Sequence, residues 1–180
     1  NQDDERIRQA VLKNYKDSAN SSAQDRGCCS ASCCCAADSA APEEVSIAHG
    51  YPSEVISEAP RASNMGLGCG NPIAIASLQP GETVLDIGSG AGFDAFLASR
   101  AVGEEGRVIG VDATPEMVHK ARRLAAENGY SNVEFRLGEM ENLPVPDNAL
   151  DVIISNCVIN LSPEKAQVFK EAFRALRAGG

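Results

Sequence analysis

The run Val84-Leu85-Asp86-Ile87-Gly88-Ser89-Gly90-Ala91-Gly92-Phe93-Asp94 reads as a ligand site. An apolar stretch gives way to glycines, which let the backbone bend sharply and approach a bound molecule closely. In open parallel sheets such a turn opens onto the crevice outside the carboxyl ends of the strands, so a nucleotide-like cofactor suits it. The dinucleotide fingerprint wants Gly-x-Gly-x-x-Gly/Ala, but Phe93 holds the last position, so the pyrophosphate seat of an NAD site is not properly provided. Asp112 follows Gly88 by 24 positions. There a carboxylate can accept hydrogen bonds from both hydroxyls of a ribose. The glycines alone also suit a ligand-free turn, and Asp112 weighs against that reading.

Seven cysteines supply a second kind of chemistry. Soft thiolates favour thiophilic metals and metalloids. Cys69 lies in Met65-Gly66-Leu67-Gly68-Cys69-Gly70-Asn71-Pro72, too rich in glycine for helix or strand, and such a loop can hold a thiol over a cleft. Cys157 lies in Ser155-Asn156-Cys157-Val158-Ile159-Asn160-Leu161, at the end of an apolar run. Each has a plainer reading, Cys69 as incidental to a Gly-Pro turn and Cys157 as a small apolar core residue. Cys28, Cys29, Cys33, Cys34 and Cys35 crowd into eight residues. A zinc site is the chief alternative for that cluster, although the second pair of a paired knuckle is missing. Lipidation is disfavoured by its acidic surroundings. His49 is left unassigned.

The elements that must position these residues follow from pattern. Asp3 to Lys16 has weak helical periodicity through Ile7, Val11, Leu12 and Tyr15. From Asp17 to Pro42 the chain is dominated by Ser, Ala and Cys, an arm expected to order only when its thiols bind something. Residues 1–42 are therefore set apart from a domain over residues 43–180. In that domain strands are expected at Thr83–Gly88, Arg107–Asp112, Val133–Leu137 and Leu150–Asn156, and helices at Phe93–Val102, Pro115–Asn128 and Pro163–Arg177. Thr114 and Ser162 are the expected N-caps, each followed by proline, and Gly179 suits the last C-cap. Alternating strands and helices give an α/β fold, a doubly wound, Rossmann-like parallel sheet. If strand four neighbours strand one, Cys157 emerges beside Gly88. Four strands are fewer than such a sheet usually has, so the domain is expected to be truncated at its C-terminus.

Composition narrows the partners. A formal net charge of -9 opposes binding to nucleic acid, which draws on Lys and Arg to neutralise phosphate. No uncharged apolar run approaches the roughly 18 residues of a membrane span. Residues 1–8 carry no apolar segment typical of a secretory signal. A cytoplasmic location with reduced thiols is the expectation.

Asp86 to Gly92, Gly110-Val111-Asp112 and Gly138-Glu139-Met140-Glu141-Asn142-Leu143-Pro144 resemble the successive motifs of class I methyltransferases. The resemblance implies S-adenosylmethionine as cofactor. Asp86, Gly88 and Gly90 would line its methionine end, Asp112 would hold the ribose, and Glu139 with Met140 would receive the adenine. Ser89, Asn156 and Met117 join the implied cofactor set, Met117 being as readily a core residue. Met-Gly-Leu-Gly-Cys-Gly-Asn-Pro and Ser-Asn-Cys-Val-Ile-Asn-Leu-Ser, together with the N-terminal cluster, resemble arsenite methyltransferases over nearly all of the chain from Cys28 onward. That family implies trivalent arsenic on Cys69 and Cys157, arriving as arsenite or a thiol conjugate, with thioredoxin or glutathione as reductant. The family's further C-terminal cysteine has no counterpart here, so a trithiolate site needs the N-terminal cluster. The alternatives are a methyltransferase for carbon, oxygen or nitrogen of a small metabolite, and a non-catalytic thiol-rich module.

Overall fold

The structure, a computed structural model, describes residues 9, 13, 15–18 and 41–180. Four parallel strands, β1 (Thr83–Ile87), β2 (Arg107–Asp112), β3 (Val133–Leu137) and β4 (Val152–Ser155), form one sheet in the order β3-β2-β1-β4. Register pairs Leu85 with Ile109 and with Ile153, and Asp112 with Leu137. Side chains alternate across a strand, so each strand feeds two cores. On one face Val84, Val108, Phe135 and Ile154 pack with Phe96 and Val118. These last two come from the helices Phe93–Val102 and Pro115–Glu127. On the other face Leu85, Ile87, Ile109 and Val111 meet Leu143, Leu150 and Ala175, the last of these from the helix Lys165–Ala175. Both faces are thus covered, which identifies the doubly wound α/β arrangement.

The expected bounds of β2, β3 and the helix Phe93–Val102 coincide with those observed. Strand β4 is shorter than expected, because Leu150 leaves the ladder to bridge Leu176. Thr114 occupies the N-cap position of its helix without a side-chain capping hydrogen bond, and Ser162 does not occupy that of the last one. Its hydroxyl donates to Glu141 Oε1 at 2.5 Å and accepts from the Glu164 amide at 3.0 Å, so the helix begins only at Lys165. It ends at Ala175 with Leu176 as C-cap, leaving Gly179 outside it. Three short helices before the sheet, Pro42–Ala48, Ser53–Ile56 and Pro72–Ala76, were not anticipated. The expected helix over Asp3–Lys16 is described at Gln9, Lys13, Tyr15 and Lys16, all helical, while the cysteine cluster at residues 28–35 lies outside the described residues. Among the described residues no helix is long and apolar enough to cross a membrane.

Candidate active site

The cofactor loop is anchored on the neighbouring strand. The amides of Gly88 and Ser89 both donate to the carbonyl of Val111, at 2.7 and 3.0 Å. Gly88 has φ +74°, and a Cβ there would stand 2.6 Å from the side chain of Val158. Both the turn and this close approach demand glycine. Asp112 is held from two sides: Oδ2 accepts from the Gly90 amide at 2.9 Å and Oδ1 from the Thr114 amide at 2.8 Å. Each carboxylate oxygen has a further lone pair, so the fixed group can still receive ribose hydroxyls. One cleft is lined by Asp86, Gly88, Ser89, Gly90, Asp112, Glu139, Met140 and Asn156, all expected site residues. Met117 is not among the cleft-lining residues. It is fully buried in a cluster with Met65 and Ala91 and serves as core.

Two polar side chains that line the cleft hold a buried oxygen without a protein partner among the described residues. Asp86 is 2% exposed, and its Oδ2 has no hydrogen-bond partner among the described residues; the buried Ser89 hydroxyl is likewise unpartnered. Burial, reinforced by the charges of Asp94 and Asp112, pushes the Asp86 carboxyl well above the usual carboxylate range. Burial also raises Asp94 and Asp112. Three crowded carboxylates with an orphaned oxygen suit a ligand carrying positive charge and hydrogen-bond donors.

A stability consequence follows. A carboxyl whose pKa is raised on folding binds more protons folded than unfolded, so the ligand-free chain loses stability as pH rises from the unfolded value near ~3.9 through the raised folded values. Asp86→Asn keeps the shape of the side chain with a group that does not ionise. The ligand-free thermal midpoint at pH 7 should rise by roughly 2–4 °C, as a change of about 1 kcal/mol does in a chain this long. The gain should vanish near pH 4, and a fall at pH 7 would contradict an uncompensated buried charge.

The two predicted thiols meet. Cys69 and Cys157, 88 residues apart in sequence, are joined as a disulfide with their Cα atoms 5.9 Å apart. Cys157 has φ +64°, a left-handed conformation uncommon outside glycine and concentrated at functional sites. Neither cysteine lines the cleft, but their chain neighbours Gly68, Asn156 and Val158 do. Cys69 is exposed and Cys157 half-buried. Asn156, expected to bind cofactor, spends its amide on the cysteine loop: Oδ1 accepts from the Cys69 amide at 3.0 Å and Nδ2 donates to the Gly70 carbonyl at 2.9 Å.

Sequence reasoning did not assign Tyr15, Tyr51 or Asp94, which also line the cleft. Tyr15 packs against Met65, Ala91 and Met117, and its neighbour Lys16 pairs with Glu116 at 2.8 Å. Asp94 stood inside the glycine motif, but only its contacts reveal a role. His49 lines the same cleft.

An arsenite methyltransferase of Halobacterium salinarum is 52% identical over 156 residues, covering 87% of this chain and 38% of that protein. The human arsenite methyltransferase is 42% identical over 106 residues, covering 54% of this chain and 28% of its own length. The chain thus spans well under half the length of these curated relatives. The crystal structure of an arsenic (III) S-adenosylmethionine methyltransferase from Chlamydomonas reinhardtii superposes with a TM-score of 0.57 at 42% identity, covering 74% of this chain and 45% of that one. Residues 78–180, more than half of the chain, match the family described as methyltransferase domain. The chain belongs to that methyltransferase family.

Proposed function

We propose that this chain is the cofactor-binding part of an S-adenosylmethionine-dependent enzyme that methylates trivalent arsenic. The observation that carries the reading is the meeting of Cys69 and Cys157 beside the Gly88 loop. When bound, S-adenosylmethionine supplies a methyl group already activated on a sulfonium. Asp112 takes the ribose hydroxyls, Asp86 and the Gly88–Gly90 loop with Ser89 take the cationic methionine end, and Glu139 with Met140 borders the adenine. Cys69 and Cys157, reduced to thiolates, hold trivalent arsenic at the rim, close to the methyl donor; such proximity is most of what an activated methyl requires. As substrate, the thiolate-held arsenic would offer its lone pair to that methyl group and would become pentavalent on accepting it. Closing the two thiolates to a disulfide returns two electrons to arsenic. A thiol reductant, thioredoxin or glutathione, then reopens the pair. In this reading the cysteines at positions 28, 29, 33, 34 and 35 are available as further ligands.

Titration of the reduced chain tests it. One cofactor site is expected and, in a chain carrying Ser at positions 28, 29, 33, 34 and 35, one arsenite site that is lost after oxidation of the thiols. Cofactor binding without arsenite binding would point to a methyltransferase for another nucleophile, and arsenite binding without cofactor binding to a thiol-rich binding module.

A further inference from the structure

The cysteine loop is held by a buried hydrogen-bond chain that the proposed chemistry does not use. Asn156 Nδ2 donates to Asp94 Oδ2 at 3.0 Å as well as to the Gly70 carbonyl, and lies 3.4 Å from the Tyr51 hydroxyl. The Tyr51 hydroxyl donates to Asp94 Oδ1 at 2.5 Å. Tyr51 is 4% exposed and Asp94 8%, so both carboxylate oxygens are engaged away from water. A primary amide has two N–H donors and one carbonyl acceptor. With the donors aimed at Asp94 and Gly70, Oδ1 is turned to the Cys69 amide, and it also lies 3.5 Å from Cys157 Sγ. The approach is close: a Cβ on Gly68 would stand 2.7 Å from Asn156 Nδ2. Asn156 thus touches the backbone of one cysteine and precedes the other, and its orientation is set by Asp94, which Tyr51 fixes in turn.

We propose that Tyr51 and Asp94 are positioning residues that act through Asn156 to hold Cys69 within bonding reach of Cys157. Burial, then the Asp94 charge, raises the Tyr51 pKa, so the phenol keeps its proton and remains a donor throughout the neutral range. The Tyr51 ring packs on Phe93 with centroids 5.2 Å apart, a contact that Tyr51→Phe preserves while removing only the hydroxyl. Asp94→Asn retains an oxygen for Asn156 and gains an N–H that can donate to the Tyr51 oxygen, whereas Asp94→Ala retains neither. Gly68→Ala disturbs the same contact from the loop side and leaves Tyr51 and Asp94 untouched.

The readout is the exchange equilibrium of the chain with glutathione, in which the protein disulfide and two glutathione thiols give the protein dithiol and glutathione disulfide. The Cys69–Cys157 pair is followed by mass spectrometry of its peptides in the full chain. Positioning favours the disulfide by raising the effective concentration of one thiol at the other. Tyr51→Phe and Gly68→Ala should each shift the equilibrium about tenfold towards the dithiol, a change of about 30 mV. Asp94→Ala should shift it further, and Asp94→Asn should stay near wild type. If Tyr51→Phe and Gly68→Ala leave the constant unchanged while lowering the thermal midpoint of the reduced chain, Tyr51 is only a core residue and the proposal fails. Should Asp94→Ala not fold, those two variants still decide. The inference builds on the proposed use of the thiols but is measured without arsenic: a reduced wild type that takes no arsenite overturns the substrate, while the glutathione constant still tests the positioning.

Discussion

In a chain carrying Ser at positions 28, 29, 33, 34 and 35, replacing either Cys69 or Cys157 by Ser should weaken arsenite binding to the reduced protein by about 10²–10⁴-fold. The size follows from chelation: with one thiolate engaged, the second meets arsenic at an effective concentration that adds that factor to affinity. Cofactor affinity should stay within a factor of about two, because neither sulfur lines the cleft. All three measurements, arsenite affinity, cofactor affinity and thermal midpoint, belong on reduced protein. A disulfide closing a separation of 88 residues stabilises the oxidised chain by up to roughly 4.6 kcal/mol on the chain-entropy account, which would mask the comparison. A Cys157 that mattered only to the core would show a different result, with both affinities falling together as the protein unfolds. Its half-buried position and left-handed backbone oppose that outcome.

Asp112→Ala should weaken S-adenosylmethionine binding by about 1–3 kcal/mol, or roughly 5- to 150-fold. Two losses combine. The ribose hydroxyls forfeit a charged acceptor, and the amides of Gly90 and Thr114, which Asp112 now satisfies, lose their partner, so the glycine turn is less well fixed. Asp112→Asn retains an oxygen acceptor for one of these amides and should fall between wild type and Ala. Calorimetry decides, and an unchanged dissociation constant in Asp112→Ala would remove Asp112 from the cofactor site.

Much of the frame was legible in sequence because its determinants are local. Strands β2 and β3 are apolar runs bounded by turn formers, and Pro115 after Thr114 marks a helix start that the structure keeps. The place of Cys157 beside Gly88 was also foreseeable, since doubly wound order places β4 beside β1, whereas its partnership with Cys69 was implied only by the family resemblance. Misreadings arose where a side chain found a distant partner. Ser162 has the residue type and the following proline of an N-cap, yet Glu141, 21 residues earlier, takes its hydroxyl. For Met117 the sequence left cofactor and core open, and the side chain is buried beside Met65 and Ala91. The Tyr51–Asp94–Asn156 chain joins positions 43 and 62 residues apart, and no local spacing encodes it. The short helices between Pro42 and Ala76 carry too few residues for periodicity to register.

X-ray absorption at the arsenic edge tests most directly where arsenic is held. The chain would carry Ser at positions 28, 29, 33, 34 and 35, so that Cys69 and Cys157 are its remaining cysteines, and would be reduced and given one equivalent of arsenite. Two sulfur neighbours on arsenic, reduced to one or none by a further Cys69→Ser, are the expected result. An arsenic shell made of oxygen alone, or a sulfur signal unchanged by Cys69→Ser, would contradict arsenic being bound by the Cys69–Cys157 pair.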